Sequence, residues 1–176
     1  MKFYEEIRRD SLIRVAEKML IAARTAPKGR GIDNLVGAYL VKEDIEILTQ
    51  KMIEIGNREN MKALFERDAA NISNCEVVVL LGIRIATTGL KYCGLCGFPD
   101  CNEKNMHPEN PCTFNTTDLG IAIGSAVSKA SEERVDNRIM FSIGMAAKEM
   151  QLLGEDVKIV FGIPLSASSK NPFFDR

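Results

Sequence analysis

Hydrophobic residues follow two different spacings along this chain, one helical and one extended. Apolar positions at turn-like intervals predict helices over five ranges, Tyr4–Ala26, Lys42–Gly56, Asn60–Ala70, Asp118–Ser131 and Arg138–Leu153. Runs of β-branched and aliphatic residues predict strands over Val36–Val41, Cys75–Gly82 and Val157–Ile163. The order of these elements predicts an α+β fold, in which a small mixed or antiparallel sheet is covered by helices.

Local stop and start signals set the boundaries of these elements. Pro27 ends the first helix, because the residue before a proline is disfavoured in a helix. Thr116 and Thr117, followed by Asp118, form a capping signal for a helix that begins at Asp118. From Pro164 onward we expect an irregular tail. No repeat or low-complexity linker divides the chain, so residues 1–176 are expected to form one domain.

Four of the five cysteines lie within twenty residues of one another and form the pattern C-x2-C-x4-C-x10-C. They are Cys93, Cys96, Cys101 and Cys112. Thiolates this close together are typical ligands of a soft metal ion or an iron–sulfur cluster. Gly94 and Gly97 would allow backbone amides to approach the sulfurs. The segment from about residue 87 to 116 is therefore predicted to be a metal-binding insertion.

Three kinds of site are compatible with the cysteine pattern. A [4Fe–4S] cluster would take all four cysteines as ligands. Zinc would take the same four, or three of them with His107, the only histidine. Apart from that possibility, His107 is expected to be a solvent-exposed loop residue rather than a catalytic base. A redox dithiol without metal is the third. Cys75 stands apart at the start of an apolar run and is expected to be a buried core thiol.

Composition and charge exclude several function classes. Lysine and arginine number 23 against 24 acidic residues, a net charge of −1, so no nucleic-acid partner is expected. No apolar stretch approaches the length of a membrane span, and the charged N-terminus lacks the apolar core of a signal peptide. A cytoplasmic location is therefore expected. Its reducing conditions favour metal binding or redox chemistry over structural disulfides.

Three segments together resemble an uncharacterised ferredoxin-domain family of anaerobic microbes. They are Ala22–Asp33 (AARTAPKGRGID), the Cys93–Cys101 core, and the C-terminal GIPLSA and KNPFFD sequences. A weaker resemblance, to flavin-dependent nitroreductases, rests on the Ala-Ala-Arg-x-Ala-Pro segment and the closing Val160–Pro164 strand. It implies an α+β sandwich, an intertwined homodimer and flavin mononucleotide (FMN) at the subunit interface. Lys28 stands where that family has serine.

Two places offer groups that could bind a flavin phosphate. In the first, Lys28, Gly29, Arg30 and Gly31 combine two cations with two glycine amides. Its alternative is a helix-terminal turn with solvated charges. The second is the tail, with Lys170 and Arg176, and its alternative is an exposed terminus. The Gly120-x-x-x-Gly124 pattern indicates close helix packing, and a dimer interface is one place where such packing would occur.

The main functional hypothesis is an iron–sulfur redox protein that carries one [4Fe–4S] cluster and transfers electrons. In an extended form of this hypothesis, the cluster passes electrons to a bound flavin, and the protein is an oxidoreductase. A zinc-stabilised binding or scaffold module without turnover is one alternative. A flavin-only reductase whose cysteines brace a lid is the other. The sequence identifies no catalytic residue, substrate or electron partner, and it has no nicotinamide-binding fingerprint.

Overall fold

A four-stranded antiparallel sheet forms the middle layer of the protein in a computed structural model that describes residues 1–174. The elements in chain order are α1 (Tyr4–Thr25), a 3-10 turn (Gly29–Gly31), β1 (Leu35–Val41), α2 (Lys42–Arg58), α3 (Lys62–Ile72), β2 (Val77–Arg84), α4 (Cys101–Asn105), α5 (Thr113–Glu132), β3 (Asp136–Asn137), α6 (Phe141–Glu149) and β4 (Val157–Ser166). None of the helices in residues 1–174 is long and apolar enough to cross a membrane.

Strand β2 lies inside the sheet, whose order is β1-β2-β4-β3. Val79 is opposite Tyr39 of β1 on one side and Ile163 of β4 on the other. Both neighbours are antiparallel to β2, and β3 adds only two residues at the far edge. The expected sheet is thus confirmed, and it is antiparallel throughout.

Alternate residues of β2 face two separate hydrophobic cores. Val77, Val79 and Leu81 pack with α1 and α5 on one face of the sheet. Val78 and Leu80 pack with α2, α3 and α6 on the other. All five side chains are completely buried, which explains why the β2 sequence is apolar without alternation. The protein is therefore a three-layer arrangement with helices on both faces of the sheet.

Two glycines allow α6 to lie directly on β4. A Cβ at Gly144 would fall 1.9 Å from the carbonyl oxygen of Val160, and one at Gly162 would fall 2.0 Å from Cγ2 of Ile143. Because such distances are far below van der Waals contact, neither position accepts a larger residue without displacement of the backbone.

The sequence patterns predict α1, β1, α2, α3 and β2 to within two residues at each end, and three other elements need correction. Helix α5 begins at Thr113 rather than Asp118, since the Thr116 hydroxyl bonds back to the Thr113 carbonyl inside the helix. Helix α6 spans Phe141–Glu149 rather than Arg138–Leu153. It ends early because Gln151 adopts a positive φ of 55° and turns the chain.

Strand β4 continues through Pro164 to Ser166, where an irregular tail was expected. Pro164 is opposite Val78, and only Leu165 and Ser166 pair with β3. Pro164 therefore has a strand neighbour only on its β2 side, as a residue of an edge strand does. Such a position tolerates proline, which has no backbone N–H to donate to a second neighbour.

A buried carboxylate joins α3 to the start of α6. Asp68 is 4% exposed and accepts hydrogen bonds from the hydroxyl of Ser142 and from the guanidinium of Arg67. Removal of the hydroxyl in Ser142→Ala leaves one oxygen of a buried charge without this donor. We expect the free energy of unfolding to fall by about 2 kcal/mol in urea titration.

The matched control is Ser131→Ala, which removes an exposed hydroxyl bonded to the Val127 carbonyl in α5. It should change the free energy of unfolding by less than about 0.5 kcal/mol. Equal effects of the two substitutions would contradict the role given to the Asp68–Ser142 contact.

Cys75 is buried just before β2 in the core formed by α2, α3 and α6, as the sequence predicts. Burial raises the pKa of its thiol to about 12. At pH 8 only roughly one such thiol in ten thousand is ionised, and the thiolate is the species that alkylates. In metal-free, reduced protein, iodoacetamide should label Cys75 at least a hundredfold more slowly in buffer than in denaturant. Mass spectrometry of each cysteine measures this, and native labelling of Cys75 as fast as that of Cys93 would contradict it.

Candidate metal centre

All four clustered cysteines line a single small cavity between the end of β2 and the start of α5. Cys112 is buried, whereas Cys93, Cys96 and Cys101 are half-buried, and every cysteine in the chain is a free thiol. Thr88, Leu90, Lys104 and Phe114 complete much of the lining. Within residues 1–174, no three His, Cys, Asp or Glu side chains are grouped so that they could hold a metal ion as they stand. The structure therefore brings the predicted thiols together around one space, with their sulfurs not yet in ligand geometry.

Cys112 is the N-cap of α5. Its carbonyl accepts the Asn115 amide at 2.9 Å, and its sulfur lies 3.7 Å from the hydroxyl of Thr88. Burial raises the pKa of the Cys112 thiol, but hydrogen bonds from the Phe114 amide, from Thr88 and from the Asn115 amide outweigh burial and leave this pKa below its ordinary value. The N-terminus of a helix also favours negative charge, because its free amides and the helix dipole are positive there. Cys112 is thus prepared to act as a thiolate.

The Cys93–Cys96 pair is carried on a tight turn. Gly94 and Gly97 have φ values of 82° and 87°, which residues with a side chain rarely adopt, and the Gly97 amide bonds to the Gly94 carbonyl at 3.0 Å. These glycines are required by the backbone of the C-x2-C turn.

Cys101 is the first residue of α4, which the Asp100 carboxylate caps. One Asp100 oxygen accepts the amides of Asn102 and Glu103 at 2.8 and 2.9 Å. Residues three apart share a helix face, and Lys104 joins Cys101 in lining the cavity. The short helix was not predicted, although Asp100 with Glu103 three positions later is a capping-box pattern that signals it.

His107 lies outside the residues that line the cavity. Its ring stacks on Phe98 with centroids 5.0 Å apart, its side chain is half exposed, and Glu103 lies 3.9 Å from its Nε2. This placement agrees with the interpretation of His107 as a solvated loop residue.

The proposed flavin loop is occupied by contacts within the chain. The ammonium of Lys28 donates to the carbonyls of Ala23, Arg24 and Ala26 at 2.7 to 3.0 Å, and so caps the end of α1. The Gly29 amide donates to both carboxylate oxygens of Asp118, at 3.0 and 3.1 Å. Asp118 therefore does not cap α5 but takes the place that a phosphate would need at this amide.

Arg30 connects the same loop to the cysteine segment. Its Nη1 donates to the carbonyls of Thr88 and Gly89 at 2.8 and 3.0 Å. Gly31, with a φ of 69°, has open space around its Cβ position. These structural roles of Asp118 and Thr88 leave no local signal in the sequence, because each depends on a contact between residues far apart in the chain.

The second predicted flavin position is not joined to the first. Lys170 is exposed, and its carbonyl accepts the Ser168 hydroxyl at 2.6 Å. No hydrogen bond or ion pair within residues 1–174 links Lys170 to Lys28–Gly31. Arg176 lies outside the described residues.

Another cavity, of about 400 Å³, opens at the other end of β2. Its cations already have partners within the chain, since Arg8 pairs with Glu5 at 2.7 Å and the Lys42 ammonium donates to the Ser73 carbonyl. The Ser166 and Ser168 hydroxyls contact each other at 3.2 Å. With both cations and both serine hydroxyls already in contact with other groups, this cavity offers less for chemistry than the four thiols.

The fold is that of solved flavoproteins with low sequence identity. A BluB-like flavoprotein from Clostridium difficile superposes with a TM-score of 0.55 and 21% identity, covering 89% of this chain and 84% of that one. A protein described as a nitroreductase, in complex with FMN, from Desulfovibrio desulfuricans gives 0.60 and 10%, covering 93% and 78%. The nitroreductase-like α+β fold expected from the sequence is thus confirmed.

Sequence relatives identify the family. Residues 109–176, which include Cys112 but not the other three clustered cysteines, match a family described as an uncharacterized protein containing a ferredoxin domain (DUF2148). An uncharacterized protein from Archaeoglobus fulgidus is 39% identical over 166 residues, which cover 90% of this chain and 88% of that protein. The chain therefore belongs to the DUF2148 family of ferredoxin-domain proteins.

Proposed function

We propose that this protein is a one-electron redox protein that holds a [4Fe–4S] cluster on Cys93, Cys96, Cys101 and Cys112. The observation that carries the proposal is the convergence of these four thiols on one cavity. The donor set is all sulfur, which suits iron–sulfur clusters and zinc and disfavours hard cations. The ferredoxin domain in the family description and the FMN of structural neighbours favour redox chemistry over a zinc staple.

The chain's own residues would make the site in two parts. Cys112 and Thr88 are buried and fixed to the helix N-terminus and to Arg30, so they form a preorganised wall. Cys93 and Cys96 lie on the turn and Cys101 begins α4, and these three thiols would change position to ligate a bound cluster. Leu90 and Phe114 line the cavity between them and would limit the access of water. When bound, the cluster would supply one-electron transfer.

Exposed apolar side chains beside the ligands would give electrons a way in and out. Tyr92, next to Cys93, is 97% exposed, and Leu95, next to Cys96, is 68% exposed. Aromatic and apolar residues are enriched where proteins dock. A donor or acceptor protein that covers these side chains would come close to the cluster.

Flavin binding is a second hypothesis, favoured by the FMN that accompanies the structural neighbours. In the described chain the Gly29 amide and the Lys28 ammonium are already satisfied. A flavin at this loop would therefore have to displace Asp118 or bind mainly through a second subunit.

We also propose that the chain forms a homodimer through the outer face of α1 and α5. Gly120, Ile121, Gly124 and Ser128 form an exposed stripe on α5, with open space over both glycines. Ile21 of the adjacent α1 is 65% exposed. Small residues flanked by exposed isoleucines suit the close approach of a second helix pair.

Metal and flavin analysis of protein purified without oxygen tests the cluster. The wild type should contain about four irons per chain and absorb broadly at roughly 400 nm. Cys96→Ser should lose most of this iron because a ligand is missing. Cys75→Ala removes a thiol outside the cavity and should retain it. One tightly held zinc with no iron would overturn the proposal in favour of the scaffold module, and a yellow iron-free protein would overturn it in favour of the flavin-only reductase.

Sedimentation velocity tests the dimer. Wild-type protein should sediment as a dimer, and Ile121→Glu should weaken association by about 3 kcal/mol, roughly a hundredfold in Kd, because an unpaired charge would be buried. Ile47→Glu introduces the same charge at an exposed isoleucine of α2 and should leave the dimer intact. A monomeric wild type, or equal effects of both changes, would contradict this interface.

A further inference from the structure

Lys104 is a buried lysine with no partner for its charge. It is 3% exposed and lines the four-cysteine cavity. Within residues 1–174, no hydrogen bond or ion pair involves its side chain. Lysine is almost never buried unless it is paired, because removal of an ammonium from water is costly. Because no fully buried side-chain nitrogen or oxygen in residues 1–174 lacks a partner, the unpaired ammonium of Lys104 must keep some accessible surface. The cavity is the space that this side chain lines, so an anionic group bound there would be the natural partner for the charge.

The carboxylates close to Lys104 in the sequence already have other partners. Asp100 caps α4 through the Asn102 and Glu103 amides. The Glu103 carboxylate lies beside His107 at 3.9 Å. The cavity lining contains four cysteines and no acidic residue other than Asp100. The thiolates, and whatever they bind, are therefore the anions available to Lys104.

We propose that the Lys104 ammonium is the counter-charge of the cluster and raises its reduction potential. This inference rests on the proposed function. Four thiolates and a [4Fe–4S]²⁺ core carry a total charge of −2, and one electron from a low-potential donor takes the core to [4Fe–4S]⁺ and the total to −3. A nearby cation stabilises the more negative state more strongly, and burial limits the screening of that interaction by water.

The helix fixes Lys104 for this task. Cys101 and Lys104 are three positions apart on α4, so the ligand and the cation share one helix face. The Asp100 cap holds the first turn of that helix in place. Lys104 would thus act on the cluster through its charge and would not be a ligand.

A redox titration of reconstituted protein tests the inference. Lys104→Met keeps the length and apolar stem of the side chain but removes its charge. Under anaerobic reduction by dithionite, followed by EPR, the midpoint potential of Lys104→Met should become more negative. At the wild-type midpoint the ratio of reduced to oxidised cluster should fall at least tenfold, equivalent to about 59 mV for one electron. Iron content should be unchanged.

Two further variants separate charge from packing. Lys104→Arg retains the charge and should stay within threefold of the wild-type ratio. Lys91→Met removes an exposed charge from the same segment and should also stay within threefold, because water screens that charge.

The outcomes distinguish this inference from the proposed function. Wild-type protein without iron would defeat the proposed function itself. A Lys104→Met cluster with the wild-type potential, or a loss of cluster in both Lys104→Met and Lys104→Arg, would overturn the role of Lys104 alone. A loss of cluster in Lys104→Met alone would contradict the unchanged iron content expected here and would assign Lys104 to cluster assembly rather than to the reduction potential.

Discussion

The burial of strand β2 on both faces is the constraint on which the rest of the structure depends. Its residues alternate between two cores, so helices must cover both sides of the sheet. The strand ends at Arg84, at the edge of those cores, and the chain emerges there into the cysteine segment. The segment returns to the core at Cys112, where α5 begins. The position of the cysteine segment is therefore a consequence of how the sheet is buried.

Polar contacts at this edge hold three distant parts of the chain together. Asn115 accepts the Ala86 amide at 3.1 Å, which ties the start of α5 to the exit from β2. Asp118 and Arg30 tie the turn after α1 to α5 and to the cysteine segment. Asn115 and Asp118 are buried, and buried polar groups with satisfied hydrogen bonds favour one arrangement over its alternatives. The loop that resembles a flavin-binding segment is, in this chain, part of the scaffold behind the thiols.

The sequence predicts the parts of this structure that depend on local patterns. The β-branched run before Arg84 predicts a buried strand, and the cysteine spacing predicts thiols around a common space. The start of α5 is predicted wrongly, because Thr-Thr-Asp is a stronger local cap signal than cysteine, whereas the helix begins with the Asn115 amide bonded to the carbonyl of Cys112. The burial of Lys104 is also invisible in the sequence, since it depends on the fold of residues 85–112 around α4.

The two halves of the site differ in how much the fold prepares them, and this difference bears on function. Cys112 and Thr88 are held by α5 and Arg30, so they change little when ligands bind. Cys93 and Cys96 are carried on a glycine turn, and within residues 1–174 no hydrogen bond holds their sulfurs. Their final positions would therefore depend on a bound metal centre. Cys112 and Thr88 would form a fixed side of the site, and the thiols of the glycine turn would close over it. This arrangement would permit a metal centre to assemble from the solvent side. It would also place these cysteines next to the exposed side chains of Tyr92 and Leu95.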